Sequence, residues 1–443
     1  MQYKKILACL AASATLVSCS NEQSEELTKN SDGEIVVKFW HASGGAAGEV
    51  LGNIIEDFNK ENEGEIEVQA SYQGDYNDTI SKFISSVQTG GLPVLLQANE
   101  LQTAYLRDSG LVTPAADFAE KDPDYSFDQL LPIVSQYYTL DDKVYSMPAM
   151  VSQPAMYVNN DLLAEAGVKI EDIDSVDAFL DAVEKVHAET GVAGLTFYHN
   201  GWWNEQFAAL LGNQFCSPDN GNGEQPADAF NLTEENYVNT WARMGELFAS
   251  GAIHNPGEDS AAASGAFQSG RVAFQLNSSS GYGDIANADL PFDWSIESMP
   301  TSTEDAGAVP GGNSLWIIDE GNSDELQQAA WEFMKYIGSD EIQKKIFIES
   351  GYLPTTEGAA SSLGETTPQQ DSLLEQLENT KVSPVTAGCK SGAMNVARKS
   401  YGAAISEIAN GKDAAAALEK AQTAANNAIE TYNERAKYTK DDE

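Results

Sequence analysis

Basic residues are scarce in this 443-residue chain, and the shortage excludes one large class of partners. Lysine and arginine total 25 against 68 acidic residues, for a formal net charge of −43. Because proteins bind nucleic acid by neutralising its phosphates with lysine and arginine, we expect no nucleic-acid partner. The acidic residues are spread along the whole chain, a pattern that favours a protein kept soluble in salt water.

Histidine and cysteine are also rare, with four of each, and they form no metal or catalytic motif. The histidines make no H-E-x-x-H sequence, and none lies at zinc-ligand spacing from a cysteine. The nucleophile motifs G-x-S-x-G and Ser-x-x-Lys are missing as well. We therefore expect a protein that is not an enzyme and that needs no metal or cofactor.

The most apolar stretch lies at the start of the chain. Lys4 and Lys5 precede the uncharged residues 6–17, which are too few to span a bilayer. This pattern predicts a signal peptide over residues 1–18 and an exported protein, periplasmic or at the cell surface. Residues 16–19 (LVSC) resemble the bacterial lipobox, so Cys19 is expected to carry a lipid anchor to the membrane, followed by a flexible tether over 19–33. An ordinary signal peptide with a chance cysteine is the alternative.

The remaining cysteines give little information. Cys9 leaves with the leader, and Cys19 is the expected anchor, so Cys216 and Cys389 remain. Two cysteines so far apart form neither a disulfide framework nor a metal site. We interpret them as two free or buried thiols, with a disulfide as the alternative.

Apolar periodicity predicts an α/β fold. Residues 34–40, 66–72 and 93–97 read as strands, and helices lie between them over 50–58 and 79–87. Strand, helix and strand in this rhythm are typical of α/β proteins. Further elements are predicted as helices over 177–186 and 234–248, strands over 274–276 and 316–318, and helices capped by Ser323 and Asp413.

About 420 residues remain after the leader, which is natural for two domains. Strand-like segments lie on both sides of a helical middle section, so the chain is expected to cross between two lobes. Lobe 1 is predicted over 34–150 plus 279–350, and lobe 2 over 151–278 plus 351–437. A cleft between two lobes is the usual place for a small ligand.

Two adjacent tryptophans follow a polar and aromatic segment. Trp202 and Trp203 cannot easily both face one core, so one of them is predicted to line the cleft and to pack on a ligand. Ordinary core packing with one surface ring is the alternative.

Several segments together resemble the extracellular solute-binding proteins of carbohydrate-type ABC importers, and in particular the branch that binds glycerol-3-phosphate. The resemblance covers about residues 36–432. It implies a two-lobed periplasmic-binding-protein fold with an inter-lobe ligand cleft and hinge crossovers. The expected partners are a small-molecule ligand and the permease subunits of an ABC importer, and the protein itself is expected to be a monomer. The segments are 39–41, 72–76, 89–100, 143–148, 157–167, 266–271, 311–316 and 351–354.

The resemblance also implies a set of ligand contacts for sn-glycerol-3-phosphate or a glycerophosphodiester. Glu100 would accept hydrogen bonds from glycerol hydroxyls, and Lys390 would stand where the family has a phosphate-binding arginine. Lysine lacks the two-pronged geometry of arginine, and Arg398 is the alternative cation. The other implied contacts are Tyr76, Ser152, Trp202, Ser278, Gly312 and Tyr352.

Three other functions stay open. A binding protein for a neutral sugar or oligosaccharide, with Lys390 merely exposed, is the main alternative within the same family. A secreted hydrolase and a surface adhesion protein are the alternatives outside it.

Overall fold

The structure is a computed structural model that describes residues 29–223 and 225–440. The predicted signal peptide, Cys19 and most of the tether lie outside the described residues and stay predictions. Within the described ranges, no helix is both long enough and apolar enough to cross a bilayer.

The strands and helices alternate through most of the chain. The strands are β1 (Ile35–His41), β2 (Ile66–Tyr72), β3 (Leu95–Asn99), β4 (Val112–Thr113), β5 (Thr139–Leu140), β6 (Lys143–Val144), β7 (Met147–Ser152), β8 (Pro154–Asn159), β9 (Ala193–Thr196), β10 (Cys216–Ser217), β11 (Ala229–Phe230), β12 (Ile253–His254), β13 (Val272–Ser278), β14 (Trp294–Glu297) and β15 (Gly311–Ile318). The helices are α1 (Gly45–Glu61), α2 (Tyr76–Thr89), α3 (Thr103–Asp108), α4 (Ala115–Ala119), α5 (Pro132–Tyr138), α6 (Asn160–Ala166), α7 (Val176–Thr190), α8 (Trp202–Leu210), α9 (Glu235–Ser250), α10 (Ser260–Gln268), α11 (Tyr282–Ala286), α12 (Asp324–Ile337), α13 (Asp340–Ser350), α14 (Glu357–Ser361), α15 (Pro368–Asn379), α16 (Met394–Ala409) and α17 (Ala414–Lys440).

The first sheet has the order β2-β1-β3-β15-β4, and β7 pairs with β15. Strands β1, β2 and β3 are parallel, whereas β15 runs antiparallel to β3 and β7. Helices cover both faces of this sheet, because α1 and α12 pack with Phe39 while α2 packs with Leu96 and Trp316. Because β1, β2 and β3 are parallel, they end together at one edge of the sheet. Ligands bind at this edge in open α/β sheets.

The second sheet has the order β12-β9-β13-β8-β14 and forms the core of the other half of the molecule. Apolar residues of α7, α9, α16 and α17 pack with it. The sequence predicts that residues 279–350, which include β14, belong to lobe 1. This prediction is wrong for β14, because β14 pairs with β8 in the second sheet. The lobe boundaries otherwise stay predictions.

The chain passes from the first sheet to the second at Gln153, between β7 and β8, and returns between β14 and β15. The backbone N–H of Ser279 donates to the carbonyl of Gln153 at 2.8 Å. The Gln153 side chain donates to the carbonyl of Leu373 at 2.7 Å, and Gln153 is buried. The crossover is thus held by buried hydrogen bonds to segments far away in sequence.

Cys216 and Cys389 form a disulfide across a sequence separation of 173. Both residues are buried. The backbone N–H of Lys390 donates to the carbonyl of Asn220 at 2.8 Å, so the two segments are paired beside the disulfide. The interpretation as two thiols is wrong, because cysteine spacing along the chain does not reveal which segments the fold brings together.

Removing this disulfide is expected to destabilise the protein. A crosslink over so long a loop restricts the unfolded chain, so the double variant Cys216→Ser/Cys389→Ser should lose about 2–5 kcal/mol of unfolding free energy. Urea denaturation of wild type, variant and reduced wild type measures the loss. Two reactive thiols at these positions in unreduced wild-type protein would contradict the pairing.

Candidate ligand-binding site

The edge at which the parallel strands of the first sheet end brings several predicted site residues together. Glu100 directly follows β3, and Tyr76 is the first residue of α2, whose N-cap Asp75 accepts a hydrogen bond from the N–H of Asp78. Ser152 ends β7 and lies opposite Gly311 of β15. Three separate segments therefore present polar side chains at this edge.

Gly312 has a geometry that no other residue fits. Its φ is +96°, and a Cβ there would lie 2.1 Å from the carbonyl oxygen of Met150. The register between β15 and β7 shifts immediately after it, between Asn313 and Ser314. The irregularity therefore directly follows Asn313, whose side chain is buried.

Asn313 orients Tyr76 through a chain of amide hydrogen bonds. Its amide nitrogen donates to the Tyr76 hydroxyl at 2.9 Å, and its amide oxygen accepts from Gln97 at 3.1 Å. The amide oxygen of Gln97 in turn accepts from the hydroxyl of Ser43 at 3.1 Å. Because the Tyr76 oxygen accepts from Asn313, its own proton is available to donate.

Tyr352 joins this chain from the other side. Its hydroxyl interacts with those of Tyr76 and Ser280, and burial raises its pKa. The Ser280 hydroxyl donates to that of Ser278 at 2.9 Å. Three predicted site residues are thus connected in one chain, in which Tyr76 contacts Tyr352 and Ser280 joins Tyr352 to Ser278.

A buried cluster of three charges lies next to these hydroxyls. Arg398 donates to Glu100 at 3.3 Å and also to Glu205, while the other Glu205 oxygen accepts from the backbone N–H of Cys389 at 2.8 Å. All three side chains are buried. Burial raises the pKa of Glu100, and the neighbouring Arg398 opposes that rise. One guanidinium thus contacts two buried carboxyl groups.

Trp202 lies at the same edge, whereas Trp203 is fully buried in the core of the second half, with its ring 6.1 Å from that of Phe197. A Cβ on Gly311 would lie 3.3 Å from the Trp202 ring and 3.4 Å from the Ser152 hydroxyl. The indole N–H of Trp202 is buried and has no hydrogen-bond partner within the described ranges. An unpaired buried donor costs about 1–3 kcal/mol, and a hydrogen bond to a ligand at this edge would remove that cost.

Lys390 is buried, and its ammonium contacts groups other than those described above. Its ammonium donates to the carbonyls of Gln136 and Thr139 at 2.6 and 2.8 Å, where α5 ends, and lies 5.9 Å from the centre of the Tyr137 ring. Burial lowers its pKa to about 7. The alternative of an exposed lysine is wrong, and the ligand-binding role of Lys390 stays a prediction. Arg398, the alternative cation, is the one that contacts Glu100.

The sequence analysis missed Glu205 and Asn313. Glu205 is three residues after Trp202 on α8, so helical spacing places both on one face, a signal that the sequence did contain. Asn313 lies inside the segment 311–316 that carries the family resemblance. Its role depends on the amide of Gln97, which periodicity cannot reveal.

Comparison with known proteins gives the family. The family model described as bacterial extracellular solute-binding protein matches residues 53–376. The chain is 28% identical over 386 residues to the sn-glycerol-3-phosphate-binding periplasmic protein UgpB of Escherichia coli K12, covering 83% of this chain and 86% of the relative. The corresponding protein of Rhizobium meliloti is 27% identical over 409 residues, covering 89% and 93%.

Solved structures have the same fold. UgpB from Mycobacterium tuberculosis in complex with glycerophosphocholine has a TM-score of 0.76 at 17% identity, covering 89% of this chain and 98% of that one. The GacH receptor of Streptomyces glaucescens, which was solved with acarbose, has a TM-score of 0.75 at 19% identity, covering 90% and 99%. The predicted two-lobed binding-protein fold is confirmed.

The lack of space for a side chain at Gly312 predicts how a substitution there affects stability. Gly312→Ala is expected to lose about 3–5 kcal/mol of unfolding free energy, because it combines a strained φ with a backbone clash. Gly64→Ala is the matched control, since Gly64 has a φ of +88° and no atom lies within 4 Å of the position that a Cβ would take there. It should lose only about 1–2 kcal/mol for the strained φ. Equal losses in urea denaturation would contradict the role of the clash.

Proposed function

We infer the function of this chain from its family, because the chain belongs to the bacterial extracellular solute-binding proteins. Its role is that of the substrate-binding component of an ABC importer. We propose that it captures a small polyol phosphate, either sn-glycerol-3-phosphate or a glycerophosphodiester. The relatives from Escherichia coli and Rhizobium meliloti, which are named for the first of these ligands, support this choice.

The observation that carries the proposal is the buried contact between Arg398 and Glu100 beside the hydroxyls of Tyr76 and Tyr352. A carboxylate accepts hydrogen bonds from hydroxyl groups, and a guanidinium donates to a phosphate with two-pronged geometry. Both chemistries are needed by a molecule that has a glycerol end and a phosphate end. We therefore propose Arg398 as the phosphate-facing cation and Glu100 as the hydroxyl acceptor.

A neutral sugar is the second candidate, and a specific observation favours it. Arg398 already contacts two carboxylates, so the cluster has no spare positive charge to offer a phosphate. Tyrosine, tryptophan and carboxylate side chains suit sugar hydroxyls and sugar ring faces as well. The GacH receptor solved with acarbose has the same fold.

The rest of the proposal concerns the place of the protein in the cell. We propose export, a lipid anchor at Cys19, a tether over 19–33 and a monomer that delivers its ligand to a membrane permease. We also propose that the lobes over 34–150 plus 279–350 and over 151–278 plus 351–437, apart from β14, close by hinge bending. The chemistry requires neither a cofactor nor turnover of the ligand.

A thermal-shift screen in seawater-like salt tests the ligand class. The ligands are sn-glycerol-3-phosphate, glycerophosphocholine, inorganic phosphate and maltose, because a ligand at about 100 times its Kd adds about 2.7 kcal/mol of stability. We expect shifts with the two glycerol phosphates only. A shift with maltose alone would replace the phosphate ligand by a sugar and keep the importer role. Hydrolysis of glycerophosphocholine would contradict a pure binding protein.

Two variants then decide which cation faces the phosphate. Arg398→Lys keeps the charge but loses the two-pronged geometry, so the Kd for the preferred glycerol phosphate should rise about 10- to 100-fold. Lys390→Gln keeps a donor for the α5 carbonyls and should leave the Kd unchanged. Calorimetric titration measures both, with the melting temperature of each variant as the folding control. The opposite result would assign the phosphate to Lys390.

A further inference from the structure

Tyr138 ends α5 and has a feature that the ligand contacts described so far do not explain. Its side chain is fully buried, and its hydroxyl has no hydrogen-bond partner among the residues that the structure describes. Native proteins leave few buried polar groups unpaired, so an unpaired hydroxyl that lies beside a ligand site is a candidate for a hydrogen bond to the ligand. The Trp202 indole N–H, at the edge where the strands end, is a second such donor.

Tyr138 lies beside the candidate site, because the carbonyl of the next residue, Thr139, accepts from the Lys390 ammonium at 2.8 Å. The residue before Lys390, Cys389, donates its backbone N–H to Glu205 of the charge cluster at 2.8 Å. Burial raises the pKa of this phenol, and the charges of Glu100 and of an ionised Tyr352 would raise it further. These two neighbours are the proposed hydroxyl acceptor and one of the implied ligand contacts. The Tyr138 phenol is therefore close enough to both groups to interact with their charges.

We propose that Tyr138 is a specificity-determining residue whose hydroxyl donates a hydrogen bond to a hydroxyl oxygen of the bound ligand. This inference rests on the proposed function and adds a requirement to it. A ligand hydroxyl that gives its proton to the Glu100 carboxylate keeps two lone pairs on its oxygen. The Tyr138 hydroxyl donates to one of these lone pairs. Tyr138 and Glu100 together therefore recognise a ligand hydroxyl both as an acceptor and as a donor. Recognition of this kind rejects an analogue that lacks the hydroxyl, because the Tyr138 hydroxyl is then left unpaired and Glu100 keeps only its contact with Arg398.

Calorimetric titration of wild type and Tyr138→Phe with sn-glycerol-3-phosphate and with n-propyl phosphate tests this role. We expect Tyr138→Phe to raise the Kd for sn-glycerol-3-phosphate about 5- to 15-fold, the loss of one hydrogen bond. The Kd for n-propyl phosphate, which has no hydroxyl to recognise, should be the same in both proteins. The comparison is repeated with maltose, so that a protein that binds only sugar still tests Tyr138.

Tyr401→Phe is the matched control. Tyr401 is also fully buried with an unpaired hydroxyl, and burial alone raises its pKa. Neither variant removes a hydrogen bond of the ligand-free protein, so neither should lower its melting temperature, and Tyr401→Phe should keep the wild-type Kd.

Three results would overturn the inference, and they differ from failure of the proposed function. Equal Kd values for wild type and Tyr138→Phe show that the hydroxyl does not contact the ligand. An equal rise in Kd for Tyr401→Phe shows a general effect of removing hydroxyls. A lower melting temperature for ligand-free Tyr138→Phe shows a structural partner. If wild type binds none of these probes, the proposed function fails first, and this inference fails with it.

Discussion

A buried guanidinium held by two carboxylates is the constraint on which the described structure depends. Glu100 follows a strand of the first sheet, whereas Glu205 and Arg398 belong to helices packed against the second. Removing one partner from a buried ion pair costs about 3–5 kcal/mol, so each charge restricts the position of the others. The elements that carry them must therefore meet at the edge where the parallel strands end. A second link lies beside the cluster, where the amides of Gln102 and Asn395 exchange two hydrogen bonds at 2.8 and 3.1 Å.

The polar groups around this cluster are oriented by neutral side chains. Gln97 fixes the amide of Asn313, and Asn313 fixes the Tyr76 hydroxyl as an acceptor. Such networks hold hydrogen-bonding groups ready before a ligand arrives, which reduces the entropy lost on binding. The same preorganisation requires Gly312, since any side chain there would clash with the strand that carries Ser152. The unusual backbone at Gly312 and the hydrogen-bonded side chains thus both contribute to the candidate ligand-binding site.

Much of the fold could be predicted because the sequence patterns that indicate its strands and helix starts are local. The strand over 66–72 has the bounds that periodicity predicted, and Ser323 and Asp413 accept backbone hydrogen bonds at helix starts. Contacts between distant segments gave no such signal. The disulfide joins residues 173 apart, and β14 is recognisable only through its pairing with β8.

The predicted site residues show the same limit. Motif resemblance led to Tyr76, Ser278 and Tyr352, whose hydroxyls the structure connects with the help of Ser280. The resemblance led as well to Glu100, which contacts Arg398. It also led to Lys390, whose ammonium caps the end of α5 instead of contacting Glu100. Sequence position alone could not separate the two candidate cations, because only the packing of α16 against Glu100 distinguishes Arg398.

The most direct test of the central claim is a crystal structure of the protein in complex with sn-glycerol-3-phosphate. The claim is that the cluster of Glu100, Arg398 and Glu205 is the floor of the ligand site. It predicts a glycerol hydroxyl within hydrogen-bond distance of Glu100 and the phosphate within hydrogen-bond distance of Arg398. A ligand bound elsewhere, or one that leaves both groups without a contact, would contradict it.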